Sequence, residues 1–382
     1  MNMIALNHTI TNQLKPKRSA IKGKASRTAK SRTEGKPEEV MLKQNKTVDK
    51  SVRAKTVTTP KRLVNTKGLS REDWLKIRRQ GIGSSDAAAA CGIHPYLSML
   101  ELWMIKTGRM SSNIDASSNN GIDGYSPLYW GNTLEPMVAK YYQEHTGNKV
   151  RRVNAVLQHP DKAFMLANLD YAITGNDEVQ ILECKTAGEH GAKLWKYGVP
   201  LYVTCQVQHQ LAVTGKQAAH ICVLLCGHEA KIYKVERDER LIESIIEHER
   251  LFWQYVESDT PPIPDHSESA ARALKLLYPI AKPSSKIDLR DDDGANKLFE
   301  QLLSYRASME DFEQRHDQVK HQLQTLIKDN EVAVFDKGAI SWKRSKDSVG
   351  LDSKAVIKAH PELLKQFNKT KQGSRRFVVL DD

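Results

Sequence analysis

The chain has 382 residues, 40% of them hydrophobic, and a formal net charge of +12 at pH 7. That length can bury at least one sizeable core and favours two domains. No apolar run reaches the roughly 18 residues that cross a bilayer, and the N-terminus lacks the apolar region of a secretory signal. The five cysteines, an odd number, favour reduced thiols over a disulfide framework. These features exclude a membrane-spanning protein and predict a cytoplasmic one.

The positive charge is concentrated at the N-terminus. Residues 1–60 hold 10 Lys and 4 Arg against 3 Glu and 1 Asp, a net charge of +10. This segment has no aromatic residue and no apolar periodicity, which predicts a disordered basic arm over residues 1–65. Such an arm can add non-specific, salt-sensitive contacts to phosphates, and the alternative is a solvated extension without a role.

A helix is predicted over 71–79 with Ser70 as its N-cap, and an Ala-rich helix follows the Gly- and Ser-containing loop that ends at Asp86. Ser85 stands where that second helix begins, and a capped helix N-terminus is also a ready phosphate site. Another helix is predicted over 100–107, and residues 109–127 are predicted to form a loop near the site. Glu135 opens a predicted helix, where an acid suits the positive end of the helix dipole.

A strand is predicted over 150–159, and residues 170–185 then have the pattern of a β-hairpin. A four-residue loop over 175–178 would set Asp170 opposite Glu183 on the partner strand. Lys185 is two residues after Glu183, so both point to the same side as Asp170.

Two carboxylates and an ammonium on one face suit metal-dependent cleavage of a phosphodiester. We expect Asp170 and Glu183 to bind Mg²⁺, with the backbone carbonyl of Cys184 as a further ligand and Mn²⁺ as a substitute ion. Lys185 would orient or deprotonate the attacking water, or offset the charge of the transition state.

A rival acid is Asp161, which follows Pro160. Pairing Asp161 with Glu183 would centre the loop on Ala172, inside a run of strand-forming residues. The composition therefore favours Asp170.

The remaining segments complete the predicted body, a mixed sheet between helices of the α/β class. The predicted elements are a helix over 200–213, strands over 219–225 and 231–235, a helix over 242–256, a linker over 259–264, a small hairpin over 332–342 and a last strand over 373–380. Between the linker and the small hairpin, apolar residues recur at heptad spacing, which predicts a long helix that packs within the chain or forms a coiled coil. The heptad positions are Leu298, Leu302, Tyr305, Met309, Phe312, His316, Val319, Leu323 and Leu326.

Several short motifs occur in a fixed order along the chain. They are Arg78-Arg79-Gln80-Gly81-Ile82-Gly83-Ser84-Ser85-Asp86, Cys91-Gly92-Ile93-His94-Pro95-Tyr96, Glu101-Leu102-Trp103, Lys106-Thr107-Gly108, Trp130-Gly131-Asn132-Thr133-Leu134-Glu135, the hairpin, and Gln206-Val207-Gln208. This set resembles the YqaJ-type viral recombinases, relatives of lambda exonuclease and the alkaline exonucleases, over roughly residues 70–260. The resemblance implies a PD-(D/E)xK nuclease core, hence a restriction-endonuclease-like mixed sheet flanked by helices, that degrades linear duplex DNA.

The resemblance also implies catalytic roles at matched positions. Asp170 and Glu183 correspond to metal-binding acids and Lys185 to the catalytic lysine. Glu135 corresponds to a helix glutamate beside the metal site, and Gln206 to a glutamine on the flanking helix.

The resemblance extends to substrate binding. Ser85, with Arg78 or Arg79, corresponds to residues that grip the 5′-terminal phosphate. The sequence departs from the lambda type near Gln206, because a tyrosine is expected where Val203 stands and Tyr202 is one residue earlier.

The predicted domains are the basic arm over 1–65, a nuclease domain over 66–260, and a segment over 261–382 that holds the linker, the heptad-bearing helix and small β elements. The predicted function is Mg²⁺-dependent 5′-to-3′ resection of linear double-stranded DNA for single-strand-annealing recombination in a phage or mobile element. DNA ends, a single-strand annealing protein and a homotrimer are the expected partners. The alternatives are a structure-specific or restriction-like endonuclease and a non-catalytic DNA-binding scaffold.

Overall fold

A computed structural model of the chain describes residues 59–110, 127–369 and 373–380. The chain divides into two compact units, Met1–Leu277 and Tyr278–Asp382. Most of the predicted basic arm and of the predicted loop over 109–127 lies outside the described residues.

Unit 1 holds nine strands, eight α-helices and two short 3-10 helices in its described part. The strands are β1 (Lys61–Asn65), β2 (Ile82–Gly83), β3 (Lys149–Arg152), β4 (Ala155–Gln158), β5 (Met165–Ala167), β6 (Tyr171–Thr174), β7 (Ile181–Ala187), β8 (Ala218–Leu225) and β9 (Glu229–Glu236). The helices are α1 (Arg71–Arg79), α2 (Ala87–Ala90), α3 (Met99–Lys106), α4 (Pro127–Thr146), α5 (Glu189–Ala192), α6 (Leu201–Thr214), α7 (Glu239–Glu257) and α8 (Glu268–Leu277).

The main sheet of unit 1 has five strands in the order β3-β6-β7-β8-β9. Its pairs are antiparallel except for β7 and β8, which are parallel. A parallel pair needs a crossover connection, and α5 and α6 supply it. A second sheet has the order β1-β4-β5-β2, with β2 parallel to β5.

Helices α4 and α6 cover opposite faces of the main sheet. Leu182 of β7 packs with Val138 and Tyr142 of α4, whereas its neighbour Ile181 packs with Val203 of α6. Adjacent strand residues point to opposite faces, so one strand supplies both cores. The predicted fold class is confirmed: an α/β body with a mixed sheet flanked by helices.

The hairpin has the predicted register. Tyr171 pairs with Leu182, and Ala172 pairs with Ile181. One further step along both strands sets Asp170 opposite Glu183. Asp161, the rival acid, is exposed and lies in the connection before β5.

The segment predicted as one strand over 150–159 is two strands in different sheets. β3 pairs with β6 in the main sheet, and β4 pairs with β1 and β5 in the second. Between them the backbone N–H of Val153 donates to Asp170 and the carbonyl of Asn154 accepts from Thr66. The single-strand prediction was wrong because the hydrogen-bond partners of the chain change at this point.

Glu135 does not open a helix, contrary to the prediction. α4 begins at Pro127 and contains Pro136 in its interior. The prediction placed Glu135 at the start of the helix, where an acid suits the positive end of the helix dipole. In the structure the helix tolerates the proline, which sets Glu135 in the middle of α4.

Five of the other helices of unit 1, α1, α2, α3, α6 and α7, lie within a few residues of their predicted bounds. Ser70 caps α1, since its side chain accepts a hydrogen bond from the backbone N–H of Asp73. The linker after α7 is followed by α8, which was not predicted and contacts α3 through the buried residues Ser269 and Ala273.

The domain boundary predicted between residues 260 and 261 stays a prediction. None of the helices in the described ranges has the length and apolarity that crossing a membrane would require.

Unit 2 contains the long helix and the small hairpin that were predicted. Its elements are α9 (Asp293–Ile327), β10 (Val332–Phe335), β11 (Gly338–Ser341), α10 (Ser353–Ala359) and α11 (Pro361–Gln366). Most heptad side chains of α9 are exposed, among them Leu298, Met309 and Leu326. The last strand predicted over 373–380 is wrong, because these residues pair with no strand of the described chain.

Gly81 joins α1 to β2 and can be tested for close packing. A Cβ atom there would lie 2.7 Å from the carbonyl oxygen of Phe164 and 2.8 Å from Cγ of Leu166. Gly81→Ala should therefore lower the free energy of unfolding by about 1–3 kcal/mol, measured in urea. Gly188→Ala is the control, because nothing lies within 4 Å of that added Cβ and its φ is −75°. Equal stability of the two variants would contradict the close approach.

Candidate active site

Glu183 and Lys185 lie on the same side of β7, as predicted. Lys185 Nζ is 2.7 Å from Glu183 Oε1, and the two side chains are 26% and 4% exposed, respectively. Carboxylates are almost never this buried unless they are paired. The ion pair with Lys185 therefore explains how the charged carboxylate of Glu183 can be buried, and it leaves the lysine side chain partly accessible.

Two glutamines of α6 complete the shell around Glu183. Gln206 Nε2 donates to Glu183 Oε1 at 2.5 Å, and its Oε1 accepts from Lys185 Nζ at 3.0 Å. Gln210 Nε2 donates to Glu183 Oε2 at 2.7 Å. The motif residue Gln208 points elsewhere and donates to the carbonyl of Glu236. Sequence reasoning missed Gln210, although its spacing of four from Gln206 puts both on one helix face.

Asp170 ends the connection that leads into β6. Its Oδ2 accepts a hydrogen bond of 2.9 Å from the backbone N–H of Cys184. Burial and the nearby carboxylate of Glu183 raise the pKa of Asp170 well above its usual range, with Glu135 adding to the effect and Lys185 opposing it. Acids in such surroundings repel one another unless a cation or proton lies among them.

Glu135 approaches the same group of acidic residues from α4. Its Oε1 accepts a 2.9 Å hydrogen bond from Arg152 Nη2 on β3. Burial raises the pKa of Glu135, Arg152 lowers it and Glu183 raises it further. The structure thus brings a third carboxylate to the two of the hairpin.

A cavity of about 230 Å³ collects these groups. It is lined by Gly131, Asn132, Glu135, Val138, Asp170, Glu183, Cys184, Lys185 and Thr186. A water takes up about 30 Å³ in the liquid, so the cavity has room for an ion with several waters.

The donor set of this cavity fits Mg²⁺. Among the described residues, no three acidic, histidine or cysteine side chains converge into a complete metal cage. Mg²⁺ does not need one, because it keeps several waters and is held by one or two carboxylates together with substrate phosphates. Asp170 and Glu183 are suitable ligands. The predicted role of the Cys184 carbonyl stays a prediction.

A second group of polar residues surrounds the turn between β2 and α2. Arg78 Nη2 donates to Ser85 Oγ at 2.8 Å and to Asp86 Oδ1 at 2.7 Å. The guanidinium of Arg78 also lies 4.9 Å from the centre of the Trp74 ring. Within the described part of the chain Arg79 makes no hydrogen bond to this turn, so Arg78 is the arginine that accompanies Ser85.

Asp86 organises this turn through a buried charge network. Its Oδ2 accepts from Lys106 Nζ at 2.7 Å and from the backbone N–H of Gly83 at 3.1 Å. Lys106 Nζ also donates to the carbonyl of Arg78 at 2.9 Å. Burial raises the pKa of Asp86, but the charges of Arg78 and Lys106 outweigh it and hold the pKa far below its usual range. Asp86 and Lys106 both belong to the sequence motifs, but only the fold shows that they form an ion pair.

His209 and Glu249 form a buried pair that sequence reasoning also missed. His209 Nδ1 is 2.6 Å from Glu249 Oε1, and Nε2 is 2.9 Å from the carbonyl oxygen of Leu166. The Leu166 carbonyl can only accept, so Nε2 carries a proton and donates to it, while Nδ1 faces the carboxyl group of Glu249. Burial lowers the pKa of His209, but Glu249 and the Leu166 carbonyl raise it above its usual value overall. The hydrogen bonds of this pair link α6 to α7 and to β5.

Comparison with known proteins assigns the chain to a family. The YqaJ-like viral recombinase domain matches residues 73–217. The uncharacterized protein YqaJ of Bacillus subtilis (strain 168) is 32% identical over 322 residues, which cover 83% of this chain and 96% of that protein. The chain belongs to the YqaJ-like viral recombinase family, as its motifs predicted.

Solved structures with a similar fold include two exonucleases. An alkaline exonuclease from Laribacter hongkongensis is 23% identical with a TM-score of 0.39, covering 49% of this chain and 93% of that one. A phage-related exonuclease from Haemophilus somnus 129PT is 13% identical with a TM-score of 0.33, covering 49% of this chain and all of that one. At these TM-scores the likeness says nothing about the activity of this chain.

The Asp86–Lys106 pair leads to a stability prediction. Asp86→Ala leaves the Lys106 ammonium buried without its carboxylate, which should lower the free energy of unfolding by about 3–5 kcal/mol. The double variant Asp86→Ala/Lys106→Met removes the unpaired charge and should recover a large part of that loss. Urea unfolding at neutral pH measures both.

The pH dependence of the same variant provides a check. The folded-state pKa of Asp86 is lower than its unfolded value of about 3.9. Its stabilisation is thus present above roughly pH 4 and is lost as the pH falls through the folded-state pKa. The gap between wild type and Asp86→Ala should narrow below pH 4. A constant gap, or a double variant no more stable than the single one, would contradict the ion pair.

Proposed function

We propose that the chain is a Mg²⁺-dependent deoxyribonuclease that resects linear double-stranded DNA from its 5′ ends. The observation that carries the proposal is the convergence of Asp170, Glu183 and Lys185 on one cavity, with Glu135 added from α4. Family membership supports action in viral recombination.

Each side chain has a chemical role in this proposal. Bound Mg²⁺ would polarise the phosphoryl oxygen and lower the pKa of the attacking water. Asp170 and Glu183 would hold the ion, and Glu135 would accept hydrogen bonds from its waters. Lys185 stays cationic beside Glu183 and offsets the charge that develops on the phosphate.

Gln206 and Gln210 act on the cavity through Glu183. Their amides donate to different oxygens of that carboxylate, so its orientation is set before substrate arrives. Gln206 also accepts from Lys185, which holds the ammonium close to the cavity. Such preorganisation avoids reorientation of dipoles during the reaction.

The turn around Ser85 supports action at DNA ends. Arg78 and the Ser85 hydroxyl form a compact cation–hydroxyl pair that suits a terminal phosphate. Asp86 holds the guanidinium in place through its second hydrogen bond. A 5′-phosphate recognised there would account for 5′-to-3′ polarity.

The proposal extends to the setting of the reaction. The strand left behind would be taken up by a single-strand annealing protein, and the chain would assemble as a homotrimer around DNA, in the cytoplasm of a bacterium that carries a phage or mobile element. Mn²⁺ would replace Mg²⁺. These elements rest on the family resemblance.

Digestion of DNA tests the reaction. Linear duplex with 5′-phosphates should be degraded with Mg²⁺ and not with EDTA, while a closed circular plasmid stays intact. Asp170→Ala and Lys185→Ala should each reduce the rate by at least about 100-fold, since each removes a charge needed in the transition state. Nucleotide release measured over time gives the rates.

Asp161→Ala is the matched control, because Asp161 is an exposed aspartate of the same region outside the cavity. It should digest DNA at the wild-type rate. Cutting of the closed circle would replace the proposal with an endonuclease. DNA that is bound but intact, with Asp170→Ala indistinguishable from wild type, would leave a DNA-binding scaffold.

The end-recognition step has its own test. Wild type should prefer 5′-phosphorylated over 5′-hydroxyl duplex, and Arg78→Ala should lose about 10- to 100-fold of that preference, because a charge-assisted hydrogen bond is lost. Arg79→Ala should keep the preference, and the exposed Lys76→Ala on the same helix is the control. Competition between the two duplexes measures the ratio. An unchanged preference in Arg78→Ala would remove Arg78 from the phosphate site.

A further inference from the structure

Three rings with no role so far form a cluster beside the proposed active site. The ring centres of His94 and Tyr202 are 5.4 Å apart and those of His94 and Tyr96 are 6.0 Å apart, both in edge-to-face geometry. Tyr96 is 61% exposed, while His94 and Tyr202 are half-buried. This aromatic cluster (His94, Tyr96, Tyr202) therefore runs from the surface inward.

Tyr202 connects the cluster to elements of both sites, because it lies on the helix that carries Gln206 and packs against the helix that follows the Ser85 turn. Tyr202 is one helical turn before Gln206 on α6 and packs in a hydrophobic group with Ala87 and Ala88 of α2. Burial raises the pKa of the Tyr202 hydroxyl, and the nearby ammonium of Lys185 opposes this. The ring therefore packs against the helix after the Ser85 turn and lies within electrostatic range of Lys185.

The pKa of His94 is affected by a charged group of the Ser85 turn and by one of the cavity. Burial lowers the pKa of His94 to about 4, with the Asp86 carboxylate opposing the shift and the Lys185 ammonium adding to it. Its Nδ1 is 3.1 Å from the backbone N–H of Tyr96, which donates to it. A nitrogen that accepts carries no proton, so the ring is neutral near pH 7 and acts as an aromatic surface, not as a phosphate-binding cation.

We propose that the aromatic cluster stacks the unpaired base of the 5′-terminal nucleotide, while the Ser85 turn holds its phosphate and the cavity receives the next phosphodiester. This rests on the proposed function and adds a base-binding site to it. Stacking on aromatic side chains suits an enzyme that must accept every sequence, because all four bases present a π-face. Tyr96, as the most exposed ring, makes the outer contact.

Equilibrium binding in EDTA, which needs no cleavage, tests the proposal. Wild type and Tyr96→Ala are each titrated against 5′-phosphorylated duplex that ends in a normal nucleotide or in an abasic one. Wild type should bind the abasic end about 5- to 100-fold more weakly, since one stacked base is lost. Tyr96→Ala should bind both ends equally, and Tyr96→Phe should restore the discrimination, because the phenyl ring still stacks.

Tyr141→Ala is the matched control. Tyr141 is a partly exposed tyrosine of α4 that pairs with His145, with ring centres 5.4 Å apart, in the same unit. It should discriminate between the two ends as wild type does. A second readout uses 2-aminopurine as the terminal base, whose fluorescence should be quenched on binding to wild type and not to Tyr96→Ala.

The outcomes separate this proposal from the proposed function. Equal binding of both ends by wild type, or full discrimination by Tyr96→Ala, would overturn the stacking site even if Mg²⁺-dependent digestion is intact. Discrimination that depends on Tyr96 supports the stacking site whatever the digestion assay gives. Failure to bind any DNA end in EDTA would overturn the stacking site, whereas the proposed function is overturned only by the digestion assay with Mg²⁺.

Discussion

The burial of the Glu183 carboxylate is the constraint on which the rest of the site depends. A charge taken out of water costs several kcal/mol unless it is paired and hydrogen-bonded. Lys185, Gln206 and Gln210 provide the compensation from β7 and α6. Because both oxygens of Glu183 are engaged by side chains of β7 and α6, its carboxylate is held in one orientation where it lines the cavity.

α6 joins the functional parts of unit 1. One face donates to Glu183, another holds the His209–Glu249 pair, and its first turn presents Tyr202 beside His94. A displacement of this helix would change the carboxylate geometry and the aromatic cluster together. Gly81 and the Asp86–Lys106 pair have a corresponding effect on the Ser85 turn, since they fix where α1, β2 and α3 meet.

Predictions from the sequence were confirmed where the residues that interact lie close together in the chain. The hairpin register followed from a turn cluster and from alternation along two adjacent strands, and the observed pairs Tyr171–Leu182 and Ala172–Ile181 confirm it. The predicted helix start at Glu135 and the predicted single strand over 150–159 were wrong. A proline inside a helix and a change of sheet depend on packing that local patterns do not record. The last strand over 373–380 was wrong for the same reason, since a strand needs a partner.

The amino-acid sequence by itself determined the α/β class, the family, and the side of β7 on which Glu183 and Lys185 lie, because a two-residue period leaves no other choice. Tertiary structure alone decided which distant groups satisfy the buried charges. Lys106 and Glu249 lie 20 and 40 residues along the chain from their partners, and nothing in that spacing specifies the contact. A buried charge requires a partner, but which residue supplies it is settled only when the helices pack.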